Sequence, residues 1–334
     1  MRAATLTAPG RIELRDVPEP VLVDAGALVR VRRVGICGTD TKIHSGDIPV
    51  EYPRVMGHEI VGEVEAAPPG SRELLGRRVL VDPGITCGRC PQCRAGRGNI
   101  CTQGWLLGRD RDGGLRDLMD APAGNLHPLP ADLDDGAAPI LQVLATCLHA
   151  QRLAPPTPGG SVVVLGLGVT GLLHLQLAKM AGAWPVVGAT RSSAKLELAR
   201  RLGADDTVQL EPGIDPARIG DQIDGGADLV IECAGTVSML AAAVGVARVG
   251  GRVLAYGTIP ERAGAFPYYD LYYKEIALTG ARSANAEDFP AAIDAVGSGR
   301  IRLEPLVTRR VSLGQLADAL ASPDRSGLKT IVEL

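Results

Sequence analysis

The thiol of Cys37 in Gly35-Ile36-Cys37-Gly38-Thr39-Asp40 and the imidazole and carboxylate of Gly57-His58-Glu59 are three side chains able to hold one divalent metal ion. Sulfur, nitrogen and oxygen donors of this kind suit zinc, and three of them leave one coordination place open. A buried cysteine and a hydrogen-bonded core histidine would explain the same residues without a metal. A second cluster favours the metal. Cys87, Cys90, Cys93 and Cys101 follow a C-x2-C-x2-C-x7-C spacing. Four thiolates in one short lobe close a tetrahedral site, so this ion would brace a loop and do no chemistry. Iron–sulfur ligation is the rival reading of four cysteines, and zinc is preferred to it. The seven cysteines make an odd number, four of them within fifteen residues, which argues for metal ligation in a reducing compartment over a disulfide framework.

A third motif points to a dinucleotide. Gly166-Leu167-Gly168-Val169-Thr170-Gly171 follows the apolar run Ser161 to Leu165 and opens an apolar helix from Leu172 to Ala181. In that context the glycines give a tight turn and a close backbone approach to a pyrophosphate, which the helix N-terminus faces. A glycine-rich turn with no ligand is the plainer reading of the same residues. The next strand, Pro185 to Ala189, ends in Thr190-Arg191-Ser192-Ser193. NAD enzymes place an acid there for the ribose hydroxyl; a cation and hydroxyls suit the 2'-phosphate of NADP(H) better, unless Arg191 is only a solvated loop charge.

The elements that must position these groups divide the chain. From Met1 to about Val64, short strands with Gly and Pro breaks (Arg11 to Leu14, Ala27 to Val31, Ile60 to Val64) predict a barrel-like β domain, and Arg78 to Val81 leads into the cysteine lobe. Ala138 to Ala150 reads as a helix, closed by the linker Pro155-Pro156-Thr157-Pro158-Gly159-Gly160. Beyond it, the strands Asp228 to Gly235 and Gly251 to Gly257 alternate with helices such as Lys195 to Gly203, the pattern of a doubly wound parallel sheet. Five of the ten aromatics fall between Phe266 and Tyr273, and read as packing at a domain or subunit contact. A helix over Ala286 to Gly297 and a terminal strand from Leu328 to Leu334 complete the reading.

Composition bounds the function. A chain of 334 residues, 46% hydrophobic and 22% charged, suggests two soluble domains. A net charge of -3 gives no reason to expect nucleic acid or an anionic membrane as partner. No apolar run approaches a membrane span and the N-terminus lacks a signal peptide, so a cytoplasmic location is expected.

Taken together, Gly35 to Asp40, Gly57 to Glu59, the cysteine lobe and the fingerprint at Gly166 to Gly171 resemble the zinc-containing medium-chain dehydrogenase/reductases, the alcohol and polyol dehydrogenases, over essentially the whole chain. The resemblance implies an α/β fold: a groES-like, β-rich catalytic domain from residues 1–143 and 280–334, with a structural zinc lobe at 84–104, and a Rossmann domain with a parallel sheet from 144–279 inserted into it, the active site lying in the cleft. It also implies roles. Cys37 and His58 correspond to catalytic zinc ligands and Glu59 to the neighbouring acid that binds the metal or exchanges with water. Gln142 stands where a cysteine or glutamate usually completes the shell. Thr39 corresponds to the hydroxyl that bonds the substrate oxygen, Asp40 to the acid that orients the histidine, Thr146 to a nicotinamide contact and Lys329 to a basic residue near the pyrophosphate. Lys42 replaces the histidine that often ends the proton route, and His44, two residues on, is placed in the catalytic set instead. Lys195 and Tyr256 complete the cofactor set with Gly166, Gly168, Val169, Thr170, Gly171, Thr190 and Arg191. His127 and His174 have no metal-spaced partners and are expected to be structural.

The expected activity is a zinc-dependent hydride transfer between NADP(H), with NAD(H) as the alternative, and a secondary alcohol or ketone. Val81-Asp82-Pro83-Gly84 lacks the aromatic that narrows simple-alcohol pockets, which favours a polyol, sugar or cyclitol. One zinc would be catalytic and one structural, Thr39 would take the proton, and the protein would be a homodimer or homotetramer. The alternatives are a simple alcohol or aldehyde dehydrogenase using NAD, and an inactive cofactor-binding or structural protein. A zinc-free enoyl or quinone reductase on the same scaffold would lack Cys37, His58 and the lobe.

Overall fold

In the computed structural model, residues 1–22, 26–211, 219, 223, 225–322 and 326–334 are described. They form two compact units. Unit 1 comprises Met1–Ala145, Asn285–Gly297 and Leu303–Leu334, and unit 2 comprises Thr146–Ala284 and Ser298–Arg302. The short return of Ser298–Arg302 to unit 2 has a local cause. Gln176 accepts a hydrogen bond from the Arg302 amide at 2.9 Å and donates to its carbonyl at 3.2 Å.

Unit 1 begins with β1 (Arg2–Ala8), β2 (Arg11–Asp16), β3 (Gly26–Ile36), α1 (Gly38–Ser45), β4 (Arg54–Val55), β5 (Glu59–Ala66) and β6 (Arg78–Val81). The cysteine lobe and its surroundings follow as β7 (Gly84–Ile85), α2 (Pro91–Arg94), β8 (Trp105–Leu106), β9 (Leu118–Pro122) and β10 (Leu126–Pro128). The helix α3 (Ile140–Leu153) carries the chain from unit 1 into unit 2. Among the described residues, the main sheet of unit 1 runs β10-β6-β5-β3, with β9 also paired to β3. Its other edge comes from the chain's far end, after α8 (Asp288–Gly297): β17 (Val307–Ser312), α9 (Leu316–Ala321) and β18 (Lys329–Glu333), with β18 antiparallel to β3. One face is buried: Val29, Val31, Val34, Ile60, Val64, Val79, Val81 and Val332 pack into a single apolar cluster. Removing such faces from water is what holds short strands together.

Unit 2 is built from β11 (Val162–Leu165), α4 (Val169–Met180), β12 (Val186–Thr190), α5 (Ser193–Arg201), β13 (Asp206–Gln209), β14 (Ala227–Glu232), α6 (Val237–Val246), β15 (Ala247–Ala255), α7 (Tyr268–Tyr273) and β16 (Ala277–Gly280). All pairings are parallel, in the order β13-β12-β11-β14-β15-β16. That is the doubly wound dinucleotide order, reversing between β11 and β14, the place where such sheets bind ligands beyond their strand ends. β11 is wholly buried, as a central parallel strand covered on both faces must be, which explains its unbroken Val-Val-Val-Leu run. No helix of the described residues is long and apolar enough to cross a membrane.

Candidate metal centre and cofactor site

Strand register assembles the first cluster. β3 pairs with β5 so that Gly35 faces Glu59, and with β18 so that Gly35 faces Ile331, which brings Lys329 to the same end of the sheet. A Cβ at position 35 would lie 2.1 Å from Glu59 Oε2; glycine there lets the carboxylate lie against the neighbouring strand. Cys37 then caps α1, and Asp40 ties the turn together. Its Oδ2 accepts the Cys37 amide at 2.9 Å, while Oδ1 accepts the Gly57 amide at 3.3 Å and lies 3.4 Å from His58 Nδ1. Ligand atoms of Cys37, His58 and Glu59 come within 4.8 Å of one another.

Cys37 is half-buried, and the groups around it are shielded from water. Asp40 and Glu59 are fully buried and His58 nearly so. Burial opposes charge on Asp40, but the His58 imidazole and the Cys37 amide outweigh it and hold the carboxyl below its usual range. Burial likewise opposes a proton on His58, and Asp40 with Cys37 reverses that, raising the imidazole well above its ordinary value. His58 Nδ1 faces Asp40, which leaves Nε2 as the nitrogen that a metal would take. The donor set fits zinc: thiolate, imidazole and carboxylate, with a carboxylate behind the imidazole.

Lys329, expected near a pyrophosphate, is found against Glu59. Its ammonium donates to both carboxylate oxygens, at 2.7 and 2.8 Å, and to the Ile36 carbonyl at 3.2 Å. Gln142 is buried on α3, one helical turn before Thr146 on the same face. Thr39 is half-buried in the first turn of α1. His44 stands in that helix's last turn, its backbone carbonyl accepting the Gly10 amide at 2.7 Å, and burial lowers the imidazole's pKa.

The second cluster has the dimensions of a zinc site. Sγ atoms lie 3.5 Å apart for Cys90 and Cys93, 3.8 Å for Cys90 and Cys101, and 3.5 Å for Cys101 and Cys87. Zn–S bonds of about 2.3 Å give a tetrahedron whose edge is roughly 3.8 Å. Backbone amides point at the sulfurs: Cys90 N at Cys87 Sγ, Cys93 N at Cys90 Sγ and Cys87 N at Cys101 Sγ, at 3.4 to 3.5 Å. Amides aimed at sulfur favour thiolates, the form a metal binds.

In unit 2 the fingerprint lies where β11 turns into α4. Gly166 has φ +92°, and a Cβ there would lie 2.9 Å from the Ala234 amide nitrogen; one at Gly171 would lie 1.9 Å from the Gly166 carbonyl oxygen. Gly168 caps α4 without a side chain, and nothing lies within 4 Å of a Cβ built on it, so no side chain caps the first-turn amides of Val169, Thr170 and Gly171. Uncapped amides beside an open approach fit a pyrophosphate. Thr190 ends β12 and Arg191 is exposed just after it, with Lys195 half-buried in α5.

One residue here was not singled out from the sequence. Glu232, fully buried at the end of β14, accepts the Ala234 and Gly235 amides on one oxygen, both at 2.7 Å, and so braces the turn packed against Gly166. An acid closing an apolar strand was its only signal. Tyr256, expected to touch the cofactor, turns its hydroxyl inward to Thr146 Oγ1 at 2.6 Å. His174 is buried beside that ring, and burial pushes its pKa down to about 3; His127 stacks on Phe289 at 4.9 Å.

Residues 24–131 match the alcohol dehydrogenase GroES-like domain family and residues 168–298 the zinc-binding dehydrogenase family. The chain belongs to the zinc-containing medium-chain dehydrogenase/reductases, and is an oxidoreductase of that family, whose cofactors are zinc and NAD(P)(H). It is 34% identical to the L-galactonate-5-dehydrogenase of Escherichia coli K12 over 310 residues, covering 91% of this chain and 89% of that one. Among solved structures, it resembles a Sinorhizobium meliloti 1021 protein described as a zinc-binding dehydrogenase and bound to NADP, with a TM-score of 0.94, 34% identity and coverage of 100% and 99%. It also resembles an alcohol dehydrogenase of Escherichia coli CFT073 complexed with NADH, with a TM-score of 0.92, 29% identity and the same coverage.

Proposed function

We propose that this chain interconverts a secondary hydroxyl and a ketone on a polyol, sugar or cyclitol, using zinc and preferring NADP(H). The observation that carries the reading is the convergence of half-buried Cys37 with buried His58 and Glu59 within 4.8 Å. Cys37 and His58 would hold the catalytic zinc, with Gln142 or Glu59 as the third donor and one place left open, and Cys87, Cys90, Cys93 and Cys101 would hold the structural one. When bound, zinc supplies a Lewis acid that makes a hydroxyl easier to deprotonate, and the nicotinamide supplies the hydride acceptor. Thr39 receives the hydroxyl proton, with His44 further along α1 on the route outward. Asp40 keeps the His58 ring oriented. Thr146 contacts the nicotinamide; the amides of Val169, Thr170 and Gly171 hold the pyrophosphate; Thr190, Arg191 and Lys195 meet the ribose phosphate.

The substrate class is supported by the named substrate of the Escherichia coli relative, a polyhydroxylated acid acted on at carbon 5, and by the absence of a narrowing aromatic at Val81 to Gly84. The NADP preference is supported by Arg191, while an NADH-bound neighbour keeps NAD(H) as the alternative. A screen of polyols, sugars, sugar acids and cyclitols with NADP and with NAD, read by dihydronicotinamide fluorescence, tests the reading. Turnover confined to polyhydroxylated secondary alcohols is the expected result; turnover of simple primary alcohols alone contradicts it.

A further inference from the structure

Tyr256 follows the last residue of β15, and its side chain makes a set of contacts wholly within unit 2. The ring meets His174 edge-on, with centroids 4.5 Å apart and planes at 78°. Its hydroxyl oxygen lies 2.6 Å from Thr146 Oγ1 and 3.6 Å from Cys147 Sγ. Both acidic groups keep their protons. Burial raises the phenol well above its ordinary value and pushes the Cys147 thiol up to about 12. A phenol is a better donor than an aliphatic alcohol, so the polarity of the chain follows: the Cys147 thiol donates to the phenol oxygen, and the phenol donates to Thr146 Oγ1.

That bond selects one arrangement of Thr146. A threonine in a helix divides between two χ1 rotamers, because its hydroxyl also finds the carbonyl one turn back. A short bond from a buried phenol, itself packed edge-on against His174, holds the Thr146 oxygen toward Tyr256. We propose that Tyr256 is a positioning residue for the cofactor, holding Thr146 in the single rotamer that meets the nicotinamide ring. The assignment rests on the reading of Thr146 as a nicotinamide contact. It replaces the direct cofactor contact expected of Tyr256, whose hydroxyl is taken up by Thr146.

The test is direct binding of NADPH and of NADH to the zinc-loaded full-length protein, followed by fluorescence of the bound dihydronicotinamide, in wild type, Tyr256→Phe, Thr146→Val and the double variant. Loss of one oriented hydrogen bond is expected to weaken binding about threefold to tenfold in Tyr256→Phe and to shift the emission of the bound ring. In the Thr146→Val background Tyr256→Phe should add nothing, whereas in Thr146→Ser, which keeps the hydroxyl, its effect should return. A purely structural role would lower the melting temperature and leave these couplings at zero. Unchanged affinity in Tyr256→Phe, or losses in the double variant that multiply as independent effects, overturns the proposal. Failure of the wild type to bind either dinucleotide removes the cofactor reading itself, and this inference with it.

Discussion

Glu59 shows how much one residue's surroundings decide. It is fully buried, close enough to Cys37 and His58 to share an ion, and gripped on both oxygens by Lys329. Removing one partner of a buried ion pair strands the other charge, at a cost of about 3–5 kcal/mol. Lys329→Met should therefore destabilise the protein by that order in urea titrations, and Glu59→Gln added to it should recover part of the loss; a cost under about 1 kcal/mol would show that the pair holds nothing together. Arg191 makes a second prediction at this scale. Arg191→Ala should reduce the ratio of NADPH to NADH affinity by about tenfold, the worth of a charge-assisted phosphate contact, and tighter NADH binding in both proteins would show that Arg191 reads no phosphate. The ligand types were legible in the chain because Cys, His and Glu announce their chemistry. The partner was not: Glu59 and Lys329 are 270 positions apart, and only the β5-β3-β18 register brings them together.

At the scale of elements, periodicity served where burial is one-sided or complete. β6, β11 and β12 stand within a residue of their expected places, while α4 begins at Val169, ahead of the expected Leu172, because the fingerprint's own last turn is already helical. α1, α6, α7 and α9 were missed for separate reasons. α1 is eight residues with two buried, and it is set by the Cys37–Asp40 capping contacts. α6 is too evenly apolar to show a helical period. α7 and α9 are six residues each, too short to display one. The turn after β6 gives a prediction. Burial pushes Asp82 up to about 7, assisted by Asp288 and opposed by the Gly84 amide it accepts at 2.8 Å. Its proton is thus held more tightly in the folded chain than in the unfolded one. The resulting stability is complete below pH 4 and is lost as pH rises through 7, by at most about 4 kcal/mol. Asp82→Asn, which keeps an acceptor for Gly84, should match wild type in urea unfolding at pH 5 and exceed it at pH 8. An equal gap at both values contradicts this account.

For the whole molecule, the two units have separate cores and separate chemical equipment: metal ligands in one, the dinucleotide turn in the other. The switch from broken strands to a β-α alternation made that division readable, but it falls within α3, between Ala145 and Thr146, and the Pro155–Gly160 linker lies inside unit 2; the return of Ser298–Arg302 to unit 2 depends on Gln176 and left no pattern in the sequence. Unit 2 also presents β16 as a sheet edge, beside Tyr268, Tyr269, Tyr272 and Tyr273, which are 66–78% exposed. Such an edge with exposed aromatics is the kind of surface the homo-oligomer expected from the sequence would cover. Light scattering should give a dimer or tetramer that Leu278→Lys shifts toward monomer, and a monomeric wild type contradicts it. Metal analysis of the purified protein decides whether one chain holds two zinc ions in different roles. Two zinc ions per chain are expected, falling to one in Cys37→Ala with loss of turnover. A wild-type value of one, unchanged in Cys37→Ala, would leave the cysteine lobe as the sole zinc site and contradict a zinc-dependent reaction.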